Sequence, residues 1–162
     1  MDLIKDLAEL ALATRLKRLS ERLSVDVSKI YKESEVSIEA RWFLLLHILE
    51  KNKVMAITEI ADALQLSHPA IVQMVNELSE KKLITTKSDK NDARKRLISL
   101  SPLGKKNLAK LAPILASIAQ ENKRWIAEAE ADILTTLEQL EKALDEQSMY
   151  QRIKLNLLQK NS

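Results

Sequence analysis

Two short helical patterns and then a charged hairpin follow one another between residues 57 and 101, and this order constrains the fold more than any other feature of the chain. The first helix is predicted over residues 57–64, with Thr58 as its cap, and the second begins after a short turn, with Ser67 as its cap. Residues 85–100 have apolar ends and a polar middle, which indicates a β-hairpin fixed at its base to a core. The sequence therefore predicts a helix-turn-helix followed by a hairpin that forms its wing.

The middle of the hairpin is strongly basic and has nothing to bury within its own protein. Its charged residues are Lys87, Lys90, Arg94, Lys95 and Arg96, with Asp89 and Asp92. A polar loop of this charge is suited to phosphates, so we expect the four residues other than Arg94 to neutralise the backbone of double-stranded DNA. Arg94 is expected to enter the minor groove, with Asp92 bracing it by an ion pair. The alternative is a solvated surface, where such a pair contributes only ~0–1 kcal/mol.

The second helix leaves an unusual set of side chains outside its predicted buried face. The positions that face the core are Ile71, Met74, Val75 and Leu78. The outward positions are His68, Ala70, Val72, Gln73 and Asn76. An exposed valine among small and amide side chains fits contact with base edges, so we expect Gln73 and Asn76 to read bases in the major groove. Ser67 and His68 would lie near phosphates at the helix start. The alternative for all four is a solvated helix face with a capping serine.

Composition predicts a mostly helical chain, because 46% of its 162 residues are hydrophobic and only one is Gly and three are Pro. The absence of Cys excludes disulfides and thiol chemistry, and two His cannot supply a His-rich metal site alone. The sequence has no paired acid and base, nucleophile constellation or phosphate-binding Gly loop, so neither a catalytic site nor a cofactor is expected. No apolar run reaches membrane-spanning length and no signal-peptide pattern begins the chain, which favours a soluble cytoplasmic protein.

The flanks of the central segment carry more apolar faces than a small winged core can cover. Helices are predicted over residues 2–23, 37–51, 102–129 and 131–145, with a bend or short helix over residues 24–37. Ser37 is a candidate cap, Pro113 interrupts the long third helix, and an apolar tail follows the last one. A partner subunit that buries these faces is the simplest solution, so we expect a homodimer.

Three consecutive motifs resemble the MarR family of bacterial transcription regulators. Residues 66–84 are similar to its recognition helix, Asp92-Ala93-Arg94 to its D-x-R wing signature, and Leu100-Ser101-Pro102-Leu103-Gly104 to its L-T-x-x-G helix start. Two departures are Lys82, where the family usually has Gly, and a recognition face that lacks Arg and Lys. The resemblance implies a mainly α, winged helix-turn-helix fold and a homodimer on a pseudo-palindromic operator. It also implies that small aromatic or phenolic ligands bind between the dimer helices and the DNA-binding lobe.

Taken together, these patterns predict three parts. They are an N-terminal dimerisation helix and linker over residues 1–35, a winged helix-turn-helix DNA-binding domain over residues 36–101 and C-terminal dimerisation helices over residues 102–162. A ligand pocket would need an apolar wall and a polar handle, for which Trp42 and His47 are candidates. For these two residues, ordinary core packing is the favoured alternative.

The expected function is that of a dimeric DNA-binding regulator, a repressor in the favoured version, which a small ligand releases from its operator. One alternative is a winged-helix adaptor or anti-regulator that contacts another protein and binds no specific DNA. Another is an enzyme that modifies a ligand through a pocket the sequence does not reveal. Sequence-selective binding that weakens steeply with salt would separate the first possibility from the others.

Overall fold

The computed structural model describes residues 3–89 and 95–160, and these residues form a mainly helical chain with one small sheet. The helices are α1 (Leu3–Asp6), α2 (Leu12–Glu33), α3 (Phe43–Asn52), α4 (Ile57–Leu64), α5 (His68–Glu80), α6 (Pro102–Ala127), α7 (Ile133–Glu146) and α8 (Met149–Lys160). Two turns of 3-10 helix, Ala8–Ala11 and Ala40–Trp42, precede α2 and α3. The predicted fold class is confirmed. Across the described ranges, no helix is both long enough and apolar enough to span a bilayer.

The sheet has three antiparallel strands in the order β1-β3-β2, where β1 is Val54–Ala56, β2 is Ile84–Ser88 and β3 is Arg96–Leu100. Strands β2 and β3 are the two arms of the predicted hairpin, with Ile84 opposite Leu100 and Ser88 opposite Arg96. Strand β1, which pairs with the other edge of β3, was not predicted from the sequence. A strand of three residues is too short to show an alternating pattern, so its pairing partner defines it.

The core lies where α3, α4 and α5 pack against the sheet and the first part of α6. Its most completely buried side chains are Leu45, Leu46, Leu49, Ile60, Ile71, Val75, Leu78, Leu83, Ile98 and Leu111. Trp42 is also buried, at 2% exposure. The inward positions predicted for α5 are confirmed, except that Met74 is only half-buried. Burial of this many aliphatic side chains holds the two helices of the helix-turn-helix and the base of the hairpin in one body.

The predicted arrangement of the N-terminal region is wrong in two places. Helix α2 begins at Leu12, not at the chain start, and it continues without interruption through Glu33. The segment predicted as a bend or short helix is polar but contains no Gly or Pro. Lys29 and Asp26, one turn apart on the helix surface, form an ion pair of 3.0 Å. The buried Tyr31 fixes this part of the helix from the other side. Polarity here marks an exposed helix face and not a turn.

Two predicted caps also differ. Helix α4 is capped by Ala56, whose N–H donates to the Glu59 carboxylate at 2.7 Å, and Thr58 lies inside the helix. Ser37 caps no helix, and its N–H donates to the Asn107 side chain at 3.3 Å. In each case the residue type fits a cap but the helix starts at another position.

The chain divides into two compact units, Met1–Ala116 and Ser117–Ser162, with the boundary inside α6 shortly after Pro113. The second unit holds the end of α6 together with α7 and α8, and the apolar tail of the sequence is the helix α8. Asp132 caps α7 by accepting the Thr135 N–H at 3.1 Å, and this bond and the one from the Thr135 hydroxyl lower the pKa of the Asp132 carboxyl. The three-part division into residues 1–35, 36–101 and 102–162 stays a prediction.

Candidate nucleic-acid interface

The turn between α4 and α5 is built by one residue in a left-handed conformation and one cap. Gln65 has φ 51° and ψ 40°, and the Leu66 N–H donates to the Ala61 carbonyl at 3.1 Å. Ser67 caps α5 as predicted, because its hydroxyl accepts the Ala70 N–H at 3.4 Å. The turn is therefore short and hydrogen-bonded, which fixes the direction in which α5 leaves it.

Helix α5 has one buried face and one exposed face, as its spacing predicts. Ile71, Val75 and Leu78 are buried, whereas His68, Gln73 and Asn76 are exposed and Ala70 and Val72 are half-buried. The structure thus brings together the four predicted contact residues of the helix, Ser67, His68, Gln73 and Asn76, on its N-terminus and its outer face. Their role in contacting DNA stays a prediction.

A hydrogen-bonded cluster beside this face centres on Glu77. Its Oε1 accepts the Gln73 Nε2–H at 3.1 Å, and its Oε2 accepts the Trp42 Nε1–H at 2.9 Å. The Arg41 guanidinium adds a two-pronged ion pair, with Nη2 at 2.9 Å from Oε2 and Nη1 at 3.2 Å from Oε1. The bonds from Trp42, Gln73 and Arg41 lower the pKa of the Glu77 carboxyl, so it is ionised at neutral pH. The cluster joins α5 to the segment that leads into α3.

The sequence analysis did not single out Glu77 or Arg41. One signal was present, because Gln73 and Glu77 are four residues apart on one helix and can face each other. The remaining partners lie 35 and 36 positions away along the chain, in the 3-10 turn Ala40–Trp42, and only the folded chain brings them close to Glu77.

The described part of the wing presents three of the predicted basic residues. Lys87, Lys95 and Arg96 are exposed, and the Asp89 N–H donates to the Lys95 carbonyl at 2.9 Å, which extends the hairpin beyond β2 and β3. Lys87 is opposite Leu97, so Lys87 and Lys95 share one face of the hairpin, while Arg96 lies on the other face with Ile98. Lys90, Asp92 and Arg94, the other wing residues of the prediction, lie outside the described residues.

The base of the wing is locked to the start of α6 by Ser101 and Gly104. The Ser101 hydroxyl accepts the Gly104 N–H at 2.9 Å and donates to the Lys82 carbonyl at 2.7 Å, and the Ser101 N–H donates to the Leu83 carbonyl at 3.0 Å. A Cβ on Gly104 would lie only 2.0 Å from the Leu83 oxygen. The serine and glycine of the motif at residues 100–104 are thus explained by a cap and a close backbone approach.

Lys82, two residues after the end of α5, has a left-handed conformation with φ 58°. Its N–H donates to the Ser79 carbonyl at 2.9 Å, and the Leu83 N–H donates to the Leu78 carbonyl at 2.9 Å. These bonds close the helix end and direct the chain into β2. Because a left-handed conformation strains any residue with a Cβ, a glycine would adopt it more easily than this lysine does.

A cleft of about 600 Å³ lies between α2 and the segment that leads into α3. It is lined by Ser28, Tyr31, Lys32, Val36, Ser37, Ile38, Glu39, Ala40, Arg41, Trp42 and Lys81. Burial raises the pKa of the Tyr31 phenol. Trp42 is part of the cleft wall, but His47 is not. His47 is exposed on α3, where its ring stacks on Phe43 with centroids 5.4 Å apart. The two candidate ligand residues are therefore not brought together.

A comparison with known protein families matches part of this chain to one family. Residues 37–95, which hold the helix-turn-helix and most of the wing, match the model of the MarR family. Over these residues the chain is similar to the MarR family.

Three solved structures share the fold over most of the chain. A mutant MarR from E. coli in complex with operator DNA is 19% identical, covers 89% of this chain and 99% of its own, and gives a TM-score of 0.69. MepR from S. aureus in complex with DNA is 20% identical, covers 83% of this chain and 97% of its own, and gives a TM-score of 0.68. The PcaV transcriptional regulator from Streptomyces coelicolor in complex with its natural ligand is 20% identical. It covers 85% of this chain and 96% of its own, and gives a TM-score of 0.62.

Proposed function

We propose that this chain is a MarR-family DNA-binding transcription regulator that acts as a homodimer on a pseudo-palindromic operator. The observation that carries the proposal is the exposed amide face of α5 beside a basic hairpin, with both fixed to one core. Such a helix fits the major groove, and the hairpin would supply phosphate contacts and a minor-groove contact. The complexes of MarR and MepR with DNA support this function.

Assembly as a homodimer is the second part of the proposal. In α1 and α2, large apolar side chains are exposed, among them Leu3, Leu12 and Leu16. In the unit Ser117–Ser162, the exposed apolar side chains include Leu134, Leu140 and Ile153. Apolar side chains at this density are unfavourable in water, and a second copy that covers them gives a two-fold molecule suited to two half-sites.

Release by a small ligand, together with a repressor role, is the third part. The cleft joins the apolar wall of Trp42 and Ile38 to the Tyr31 phenol and to the cations Arg41 and Lys32. These groups suit an aromatic or phenolic ligand. The complex of PcaV with its natural ligand supports the presence of a ligand site in this fold. A regulator that works on the chromosome of a bacterium would act in the cytoplasm.

The test is selection of bound sequences from random duplex DNA with the full-length protein. We expect a two-fold symmetric site whose half-sites are about one helical turn (~34 Å) apart, and an affinity that falls steeply with salt.

Asn76→Ala should weaken discrimination at one base pair of each half-site about tenfold. Lys87→Ala should weaken binding to all sequences and reduce the salt dependence. Binding that is equal for all duplexes, or absent, would contradict the proposal and favour the adaptor.

A further inference from the structure

We propose that Glu77 is a positioning residue for base reading, which holds the Gln73 amide with its carbonyl oxygen outward and so favours adenine or cytosine over guanine and thymine at one base pair. This inference rests on the proposed function, because it assumes that α5 lies in the major groove. It assigns a role to a side chain that lies one turn from Gln73, beside the predicted DNA-contacting positions of the helix.

The hydrogen bond between Gln73 and Glu77 determines which end of the Gln73 amide faces Glu77. An ionised carboxylate has acceptors and no donor, so a glutamine that bonds to it must turn its NH2 group toward it. Gln73 Nε2 lies 3.1 Å from Glu77 Oε1, and the hydrogen bonds on Glu77 keep its carboxyl ionised by lowering its pKa. The orientation of this amide is therefore determined by its partner, whereas a free glutamine can present either end.

The Glu77 carboxylate is held in place by side chains from outside its own helix. Its Oε2 is held by the Trp42 indole at 2.9 Å and by Arg41 at 2.9 Å, and Trp42 is itself buried in the core. The carboxylate thus has two partners from outside its own helix and cannot follow Gln73 outward without losing them. Held at its far end, the Gln73 side chain loses less conformational entropy on binding than a free one does.

The groups that Gln73 leaves free match the major-groove edges of some bases and not of others. With one N–H given to Glu77, Gln73 keeps its carbonyl oxygen and its second N–H. The oxygen can accept from the adenine N6 amino group while the N–H donates to adenine N7. Cytosine offers its N4 amino group to the oxygen alone. Guanine and thymine present the acceptors O6 and O4 there, which repel a carbonyl oxygen.

The competing explanation is that Glu77 only ties α5 to the segment before α3. A purely structural tie would change stability and overall affinity but would leave the base preference intact. The experiment must therefore measure preference at each position of the site, and not affinity alone.

The experiment uses the full-length wild type and four variants on a panel of the selected operator in which each base pair is changed to the other three. Gln73→Ala identifies the base pair that Gln73 reads. Glu77→Gln tests the inference, because the new amide can donate to the Gln73 oxygen and allow it to flip. Glu80→Gln removes the same charge from an exposed position of the same helix. Trp42→Phe removes one bond to Glu77 without touching Gln73.

We expect the wild type to prefer adenine or cytosine at that base pair about tenfold. Glu77→Gln should lose most of this preference there by tolerating guanine or thymine, with other positions unchanged. Glu80→Gln should keep the preference, and Trp42→Phe should keep most of it because Arg41 still holds the carboxylate. A wild-type preference for guanine or thymine, or an unchanged preference in Glu77→Gln, would overturn the inference.

A second measurement on the free protein separates this inference from the proposed function. The side-chain amide signals of Gln73, assigned with Gln73→Ala, should shift as Glu77 is protonated at acid pH, and they should not do so in Glu77→Gln. If the wild type selects no DNA sequence, the proposed function and base reading both fail, although the amide signals can still follow Glu77. If DNA is selected but the amide signals ignore Glu77, only the inference fails.

Discussion

The unit Met1–Ala116 and the unit Ser117–Ser162 are both mainly helical, but they differ in how many apolar side chains they bury. The first buries a dense set of aliphatic side chains, such as Leu45, Ile71 and Ile98, which are fully excluded from solvent. In the second, none of the described side chains from 117 to 159 is buried. Helical periodicity alone therefore does not distinguish a helix that packs within its own chain from one that needs a second molecule.

The largest effect should come from the core of the first unit. Leu45→Ala should lower the free energy of unfolding by ~2–5 kcal/mol, because Leu45 has 0% exposure and its removal leaves a cavity. Leu44→Ala is the matched control, since Leu44 is its neighbour in α3 with 57% exposure, and it should change stability by no more than about 0.5 kcal/mol. Urea denaturation of both variants measures the difference. Equal effects would mean that the first unit is not stabilised by its own core.

Gly104→Ala should destabilise the base of the wing by roughly 1–3 kcal/mol, because the added Cβ must displace the Leu83 carbonyl. Lys105→Ala, at the next and exposed position, should cost almost nothing. Thermal unfolding of the two variants gives the comparison. An unimpaired Gly104→Ala protein would show that α6 and the wing are not in close contact.

For the second unit, the prediction concerns protein concentration. If a second copy covers its exposed leucines, a tenfold increase in concentration should raise the apparent stability by about 1.4 kcal/mol, the value of a tenfold change in an association equilibrium. Leu140→Asp, at a position with 51% exposure on α7, should reduce this dependence and shift the protein toward monomer in sedimentation. A stability independent of concentration would show that the helices of this unit do not need a partner subunit.

Sequence reasoning was most successful where local and distant requirements agree. The inward positions of α5 follow from spacing, and Ser67 is a cap both by residue type and by position. The same reasoning missed β1, whose three residues become a strand only by pairing with β3, and it broke α2 at polar residues that lie on an exposed helix face. At the candidate site it found Gln73 but not Glu77, because Trp42 and Arg41 are distant from Glu77 in the sequence and approach it only in the folded chain.

The smallest predicted effect has opposite signs at two adjacent lysines of the first unit. Lys82→Gly should raise stability by about 1 kcal/mol, because glycine removes the strain of a left-handed residue with φ 58°. Lys81→Gly should lower stability by about 0.5–1 kcal/mol, because Lys81 has an ordinary helical φ of −77° and glycine adds only flexibility there. Both substitutions remove one exposed positive charge, so electrostatics cancels from the comparison. Chemical denaturation at one salt concentration resolves the two signs, and a loss of stability in both variants would mean that the turn into β2 does not strain Lys82. A gain only at position 82 would show that even the well-packed unit keeps a local strain, which a glycine at this position relieves.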